Sequence, residues 1–303
     1  MNTTFGVMFR RERPPEELQP FARFVQTAGL DELWIVEDCF WAAGLSAVTA
    51  ALAATETLTV GLGIAPAVAR NPAITAMEMA GIARMFPGRF VAGLGHGVAD
   101  WMRQIGALPA SQLAALDESI DAIRRLLKGE SVTTSGRYVH LDDVQLVFPP
   151  SPRPPVVEGV TGPRSIDVAA RVADGLLLPE GSSPEYVRAA RACLRGDAHC
   201  VVYVLFAVDD DRDRARELVR EQTERFAPGD RDERLALMGP SVDVDPDERA
   251  DRYAVAGTPT ECARAMERWL RAGATSLVIV PCADDHEQQV SRLVREVLPF
   301  VSV

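Results

Sequence analysis

Short apolar runs alternate with longer segments whose apolar residues recur at helical spacing, from one end of the chain to the other. Continuous apolar runs bounded by turn residues read as strands buried on both faces. Eight can be placed, at 4–8, 32–36, 59–63, 90–93, 155–158, 175–178, 200–207 and 276–280. Between them, Leu18, Phe21, Phe24, Val25 and Ala28 form one apolar stripe and Leu113, Leu116, Ile120, Ile123 and Leu127 another, each opposite a polar face. That is the pattern of helices packed on one side. Gly29, Gly129 and Gly273 follow helices, and Pro163, Pro184 and Pro259 stand near the starts of others, as stop and start signals do. Strands joined throughout by crossover helices, eight in number, predict an α/β chain folded as a (β/α)8 TIM barrel. The expected domain organisation is a single one over residues 1–303.

Two segments interrupt the alternation. Residues 131–148 alternate apolar and polar around Ser135 and Gly136 and end in a proline-rich breaker, which predicts a hairpin inserted after helix four, in a lid-like position. Residues 228–252 are rich in Asp, Arg, Pro and Gly without a period, which predicts an irregular surface insertion before the last barrel unit.

Composition narrows the function. A net charge of −11 disfavours nucleic-acid and anionic-membrane partners, which need clustered Lys and Arg. No run approaches 18 apolar residues and the N-terminus lacks a leader's apolar stretch, so a cytoplasmic protein is expected. The five cysteines, Cys39, Cys193, Cys200, Cys262 and Cys282, form no C-x-x-C pair and read as reduced thiols. Lys128, the only lysine, closes a predicted helix, so a Schiff-base barrel is excluded. No H-x-H, H-E-x-x-H or carboxylate cluster appears, so no metal site is expected.

In such a barrel the chemistry lies on the loops that follow the strands, and three junctions carry it. After the second strand, Glu37, Asp38, Cys39, Phe40 and Trp41 crowd two acids, a thiol and two rings together. Proton-holding groups beside flat apolar walls suit a redox-active ring. The same acids could instead cap loops, with Cys39 as a small buried hydrophobe. After the third strand, Gly61 and Gly63 precede Ile64, Ala65 and Pro66, and glycine there either admits a planar ligand or relieves crowding. The third junction pairs Gly93, Gly95, His96 and Gly97 with Gly159, Thr161, Gly162, Pro163 and Arg164. Open N–H groups at a helix start make an anion site; the alternative is a pair of tight turns. His96, between glycines, can bind an anion or exchange a proton near neutral pH, whereas His140, His199 and His286 are isolated.

The order of residues at these junctions resembles the luciferase-like monooxygenase superfamily, particularly its deazaflavin (coenzyme F420) branch that includes methylenetetrahydromethanopterin reductase. The carriers are AGLDELWIVED, TVGLGIAPAVARNPAITA, FPGRFVAGLGHGVADW, GVTGPRSIDVAARVADGLLL and VAGTPTECARAMERWLRAGATSLVI, which together span most of the chain. The resemblance implies coenzyme F420, alternatively FMN, in the barrel mouth. It implies a ring backed by a non-prolyl cis peptide at Gly63-Ile64, next to Ala65, and a phosphate around Thr161, Gly162 and Pro163. Asp38, Cys39, Gly95, His96, Gly97, Val98, Gly159 and Arg164 complete the implied cofactor set.

The chain departs from the pattern at Cys39, where many relatives carry histidine, and at Val98, where some deazaflavin dehydrogenases carry an acidic glutamate. The implied activity is hydride transfer between deazaflavin C5 and a C=C or C=N of a small organic substrate, with Asp38 fixing the ring and Cys39 or His96 handling the proton. Arg164, Arg70 and Arg103 would form a basic rim for the cofactor's anionic tail. An FMN-dependent monooxygenase and a non-catalytic flavin-binding barrel stand as alternatives. Relatives commonly form homodimers, so a homodimer is implied; the substrate and the direction of transfer are not.

Overall fold

The computed structural model describes residues 3–226 and 245–302. Its strands are β1 (Thr4–Phe9), β2 (Glu32–Ile35), β3 (Thr59–Pro66), β4 (Phe90–Gly95), β5 (Val132–Ser135), β6 (His140–Val144), β7 (Val156–Gly159), β8 (Gly175–Leu178), β9 (His199–Val208), β10 (Ala254–Gly257) and β11 (Ser276–Pro281). Strands β1, β2, β3, β4, β7, β8, β9 and β11 pair in parallel in that order, and β11 pairs back onto β1, closing an eight-strand barrel. All eight strands read from apolar runs are present, because each is covered on both faces and needs no polar side.

Side chains of alternate parity fill two layers. Met8, Trp34, Val91, Val157, Leu177, Val201, Tyr203 and Val278 fill the barrel, while Leu33, Leu62, Leu94, Leu176, Val202 and Ile279 face the helices outside. Each fully buried aliphatic or aromatic side chain of this kind contributes roughly 1.5–3 kcal/mol relative to exposure. Helix Leu18–Ala28 buries Leu18, Phe21, Ala22 and Val25, and helix Gln112–Leu127 buries Leu116, Ile120, Ile123 and Leu127, as their spacing requires. Side chains of Asn71, Ser111, Ser183 and Asp211 accept backbone N–H bonds at the starts of their helices. A capping box of Thr258 and Glu261 opens helix Pro259–Arg271.

The insertions differ in part from expectation. The hairpin is present as antiparallel β5 and β6, but it is docked on helix Gln112–Leu127 and is not hung as a lid. Glu118 of that helix accepts N–H bonds from Arg137, Tyr138 and Val139, and the Tyr138 hydroxyl accepts one from Ser111. Buried Val132, Val139 and Leu141 supply the apolar face that holds it there. Of the segment 228–252, residues up to 244 lie outside the described residues; beyond them Pro246–Tyr253 is a helix capped by Asp245, with Ala250 and Tyr253 buried. Two buried positions among eight are too few to show a period. Strand β10, also unforeseen, pairs in parallel with the upper half of β9, beyond the stretch that β8 covers. Among the described residues no helix is long and apolar enough to cross a membrane.

Candidate active site

The loop after β2 is tied to its neighbours by ion pairs. Glu37 is buried, and its two oxygens meet Arg70 of the β3 loop at 2.5 and 2.9 Å, while Oε2 also accepts the Gly44 N–H at 2.7 Å. Two-pronged pairing of this kind fixes geometry as well as charge. Glu37 is therefore a brace that also satisfies the start of helix Gly44–Ala53. Asp38 accepts from Arg11 of the β1 loop at 2.5 Å, and the Arg11 guanidinium lies 5.7 Å from the centre of the Trp41 ring. Phe40 and Trp41 are exposed at 66% and 55%. Burial, with Glu37 and Asp38 close by, pushes the Cys39 thiol up against the opposing pull of Arg70. Cys39 therefore holds its proton at neutral pH, and it is a weak nucleophile.

The next junction carries a bulge. Leu62 stands opposite Ala92 and Ala65 opposite Leu94, so Gly63 and Ile64 share the single position facing Gly93. The Gly63-Ile64 bond is cis, as the resemblance implies, and so is Cys39-Phe40. The glycines around it serve the protein's own packing. A Cβ at Gly63 would lie 1.9 Å from the Tyr203 hydroxyl, and one at Gly159 would lie 2.4 Å from Ile64 Cγ2. At Gly95 it would fall 2.8 Å from the Gly159 carbonyl and 2.9 Å from Ile64 Cδ1. The glycines of β4 and β7 thus form a floor on which the Ile64 side chain rests.

The two halves of the third junction come together. His96 Nε2 lies 3.3 Å from Ser165 Oγ, in the first turn of helix Pro163–Val172, and His96 Nδ1 is buried without a partner. Burial holds the imidazole below its ordinary range, so it is neutral at pH 7. Gly162 is the N-cap of that helix, with no side-chain cap, and Ile166 is the residue whose N–H bonds back to the Gly162 carbonyl. The N–H groups of the preceding turn point out of the helix start, the arrangement that receives an anion. Tyr186 donates to the Thr161 carbonyl at 2.6 Å and steadies the loop.

The residues fit a planar ring bearing a phosphate chain. The bulge presents Ile64 as a shelf over packed glycines, the helix start lacks a side-chain cap, and His96 leaves a buried nitrogen unpartnered. The family profile described as luciferase-like monooxygenase matches residues 2–276. The chain belongs to that family. Among curated relatives it is 24% identical to a 5,10-methylenetetrahydromethanopterin reductase of Methanolobus tindarius, over 97% of this chain and 99% of that protein. It is 27% identical to an F420-dependent glucose-6-phosphate dehydrogenase of Kineococcus radiotolerans, over 95% and 93% respectively. The fold matches an F420-dependent secondary alcohol dehydrogenase solved with an F420-acetone adduct at a TM-score of 0.83, with 22% identity and both chains fully covered.

Several expected roles change. Of the anticipated basic rim, Arg70 is committed to Glu37 and Arg103 to Asp100, which leaves Arg164, exposed on its helix start. Cys39 and His96 lie on the β2 and β4 loops, separated by β3 and its bulge. Sequence reasoning passed over Arg11, although Arg10 and Arg11 directly follow the first strand, which is itself a functional-face signal. It also passed over Tyr203 and Glu158. Glu158 is fully buried in the strand–helix layer with both carboxyl oxygens unpartnered, and burial, with Asp117 adding to it, pushes the acid up to about 8 against Arg171. A separate cleft of about 460 Å³, lined by Arg153, Asp174 and His199, opens at the opposite, N-terminal end of the barrel.

Proposed function

We propose that the chain is an oxidoreductase that holds coenzyme F420 in the barrel mouth and acts on a small organic substrate. The observation that carries this reading is the uncapped start of helix Pro163–Val172 facing the β4 loop, in a chain several of whose near full-length relatives bear F420-dependent names. When bound, the deazaflavin supplies a hydride donor or acceptor at C5.

The protein's own groups supply the rest. The N–H groups of Gly162 and Arg164 with Thr161 would hold the phosphate, with Pro163, which has no N–H, setting the backbone of the first turn, and Gly63, Ile64 and Ala65 would back the ring. Val98 would line the channel between them, while Gly95 and Gly159 would act on the ring through Ile64, which they carry, and Gly97 through its packing on Pro66 and Met102. Asp38, fixed by Arg11, orients a polar edge at the mouth. Cys39, a protonated thiol, and His96, a neutral imidazole, are the groups able to hold or pass a proton. Hydride transfer to one atom of a C=C or C=N with a proton delivered to the other, or the reverse oxidation that forms the double bond, fits such a site, because beyond the hydride it needs only a group that holds or passes one proton. Purification from a host that makes both F420 and FMN tests the reading: F420 should be the cofactor retained, and FMN alone would contradict it.

The same reading includes a homodimer and a reducing, cytoplasmic setting, which the five free thiols suit. The dimer is supported by helix Pro72–Met85, whose outward line holds Ile74, Met77, Glu78, Gly81, Arg84 and Met85. Its neighbour Gly44–Ala53 carries no charged side chain. Ile74, Met77 and Met85 are large apolar side chains left exposed on that outward line, and a cluster of this kind is normally covered.

A further inference from the structure

The bulge in β3 takes Gly63 out of the ladder that pairs β3 with β4. A buried carbonyl left without a partner is costly, so its hydrogen bond has to come from elsewhere. It comes from the far side of the barrel. Tyr203 on β9 stands four strands from β3 in either direction around the closed sheet, and its hydroxyl donates to the Gly63 carbonyl at 3.3 Å. Tyr203 is buried, and its ring packs edge-on against Trp34 at 5.9 Å and 75°. Trp34 in turn donates to Glu32, which also accepts from Thr4 and Ser276, each at 2.6 Å, at the N-terminal end of the barrel. A continuous set of contacts thus runs from the barrel floor to the bulge.

We infer that Tyr203 is a positioning residue for the cofactor shelf: its hydroxyl tethers the Gly63 carbonyl inside the barrel and sets the height at which Ile64 meets the ring. The inference rests on the function proposed above, and it explains why position 63 must be glycine, since the tether occupies the space of a Cβ.

Tyr203→Phe removes the hydroxyl and keeps the ring, so the fold should survive. In the unliganded protein, amide hydrogen exchange across 60–68 should accelerate about tenfold, the effect of freeing one buried hydrogen bond. The dissociation constant for isolated F420, followed by its fluorescence, should rise by about the same factor, with a shift of the bound absorbance band toward that of free F420. Val219→Ala, in a buried position on helix Arg212–Glu224, serves as a control that lowers stability without touching the bulge. Faster exchange together with weaker, shifted binding in Tyr203→Phe, and neither in Val219→Ala, supports the inference. Unchanged exchange, unchanged binding, or equal effects in Val219→Ala would overturn it. Failure of the unaltered protein to bind F420 is a different result, because it overturns the functional reading and the inference together, whatever the variant does.

Discussion

At the scale of single residues, the clearest consequence concerns Glu158. Its folded-state acid constant of about 8 lies above that of an exposed glutamate. Between pH 4.5 and 8 the unfolded chain therefore releases a proton that the folded chain keeps, so this group makes stability fall as pH rises through that window. Glu158→Gln should raise unfolding free energy at pH 8, by on the order of 3 kcal/mol, and much less at pH 5. Urea denaturation at the two values measures this, and equal gains would refute it. Arg70 works in the opposite sense. Arg70→Ala strands the buried Glu37 carboxylate and should cost about 3 kcal/mol, whereas Arg103→Ala, at an exposed pair, should cost little. These residues also mark how far the site was legible in the chain. Asp38, Cys39 and His96 could be placed because each follows a readable strand. Arg11 with Asp38, Arg70 with Glu37 and Tyr203 with Gly63 are pairs that barrel closure creates, and spacing along the chain carries no trace of them.

At the scale of elements, apolar runs disclosed the barrel strands because two-sided burial leaves a continuous signature. Their ends were less visible. Strand β3 continues through a bulge to Pro66 and β4 reaches Gly95, since small residues there are required by contacts with Ile64 and not by a strand pattern. The four-residue β10 and the charge-dense helix Pro246–Tyr253 gave too little period to be read. The helix start at Gly162 makes a prediction with two signs. Gly162 has extended backbone at φ −84° and ψ 147°, which aspartate adopts readily. Gly162→Asp should therefore cap the helix and add about 0.3 kcal/mol of stability, while its charge repels an incoming phosphate. A higher melting temperature with at least tenfold weaker F420 binding is the expected pair of results; unchanged affinity would remove the anion site from this helix.

At the scale of the whole molecule, the outward line of Pro72–Met85 is symmetric about Gly81, with Met77 and Met85 four residues to either side and Glu78 and Arg84 three. A copy packed antiparallel across a two-fold axis at Gly81 would set Glu78 against the other copy's Arg84, twice, with Met77 meeting the other copy's Met85 outside each pair and no Cβ at the crossing. Glu78→Arg should shift sedimentation toward the monomer, and adding Arg84→Glu should restore the dimer. A monomer in the unaltered protein would overturn the proposed dimer, and a dimer unchanged in both variants would move its contact off this helix. The central claim is that the barrel mouth binds a deazaflavin with its phosphate at the Pro163–Val172 helix start. Parallel fluorescence titrations of the cofactor-free protein with F420 and with FMN, each at several salt concentrations and repeated with Arg164→Ala, test it most directly. The account predicts tighter binding of F420, weakening as salt rises and on loss of Arg164. Tighter binding of FMN, or F420 binding indifferent to both salt and Arg164, would contradict it.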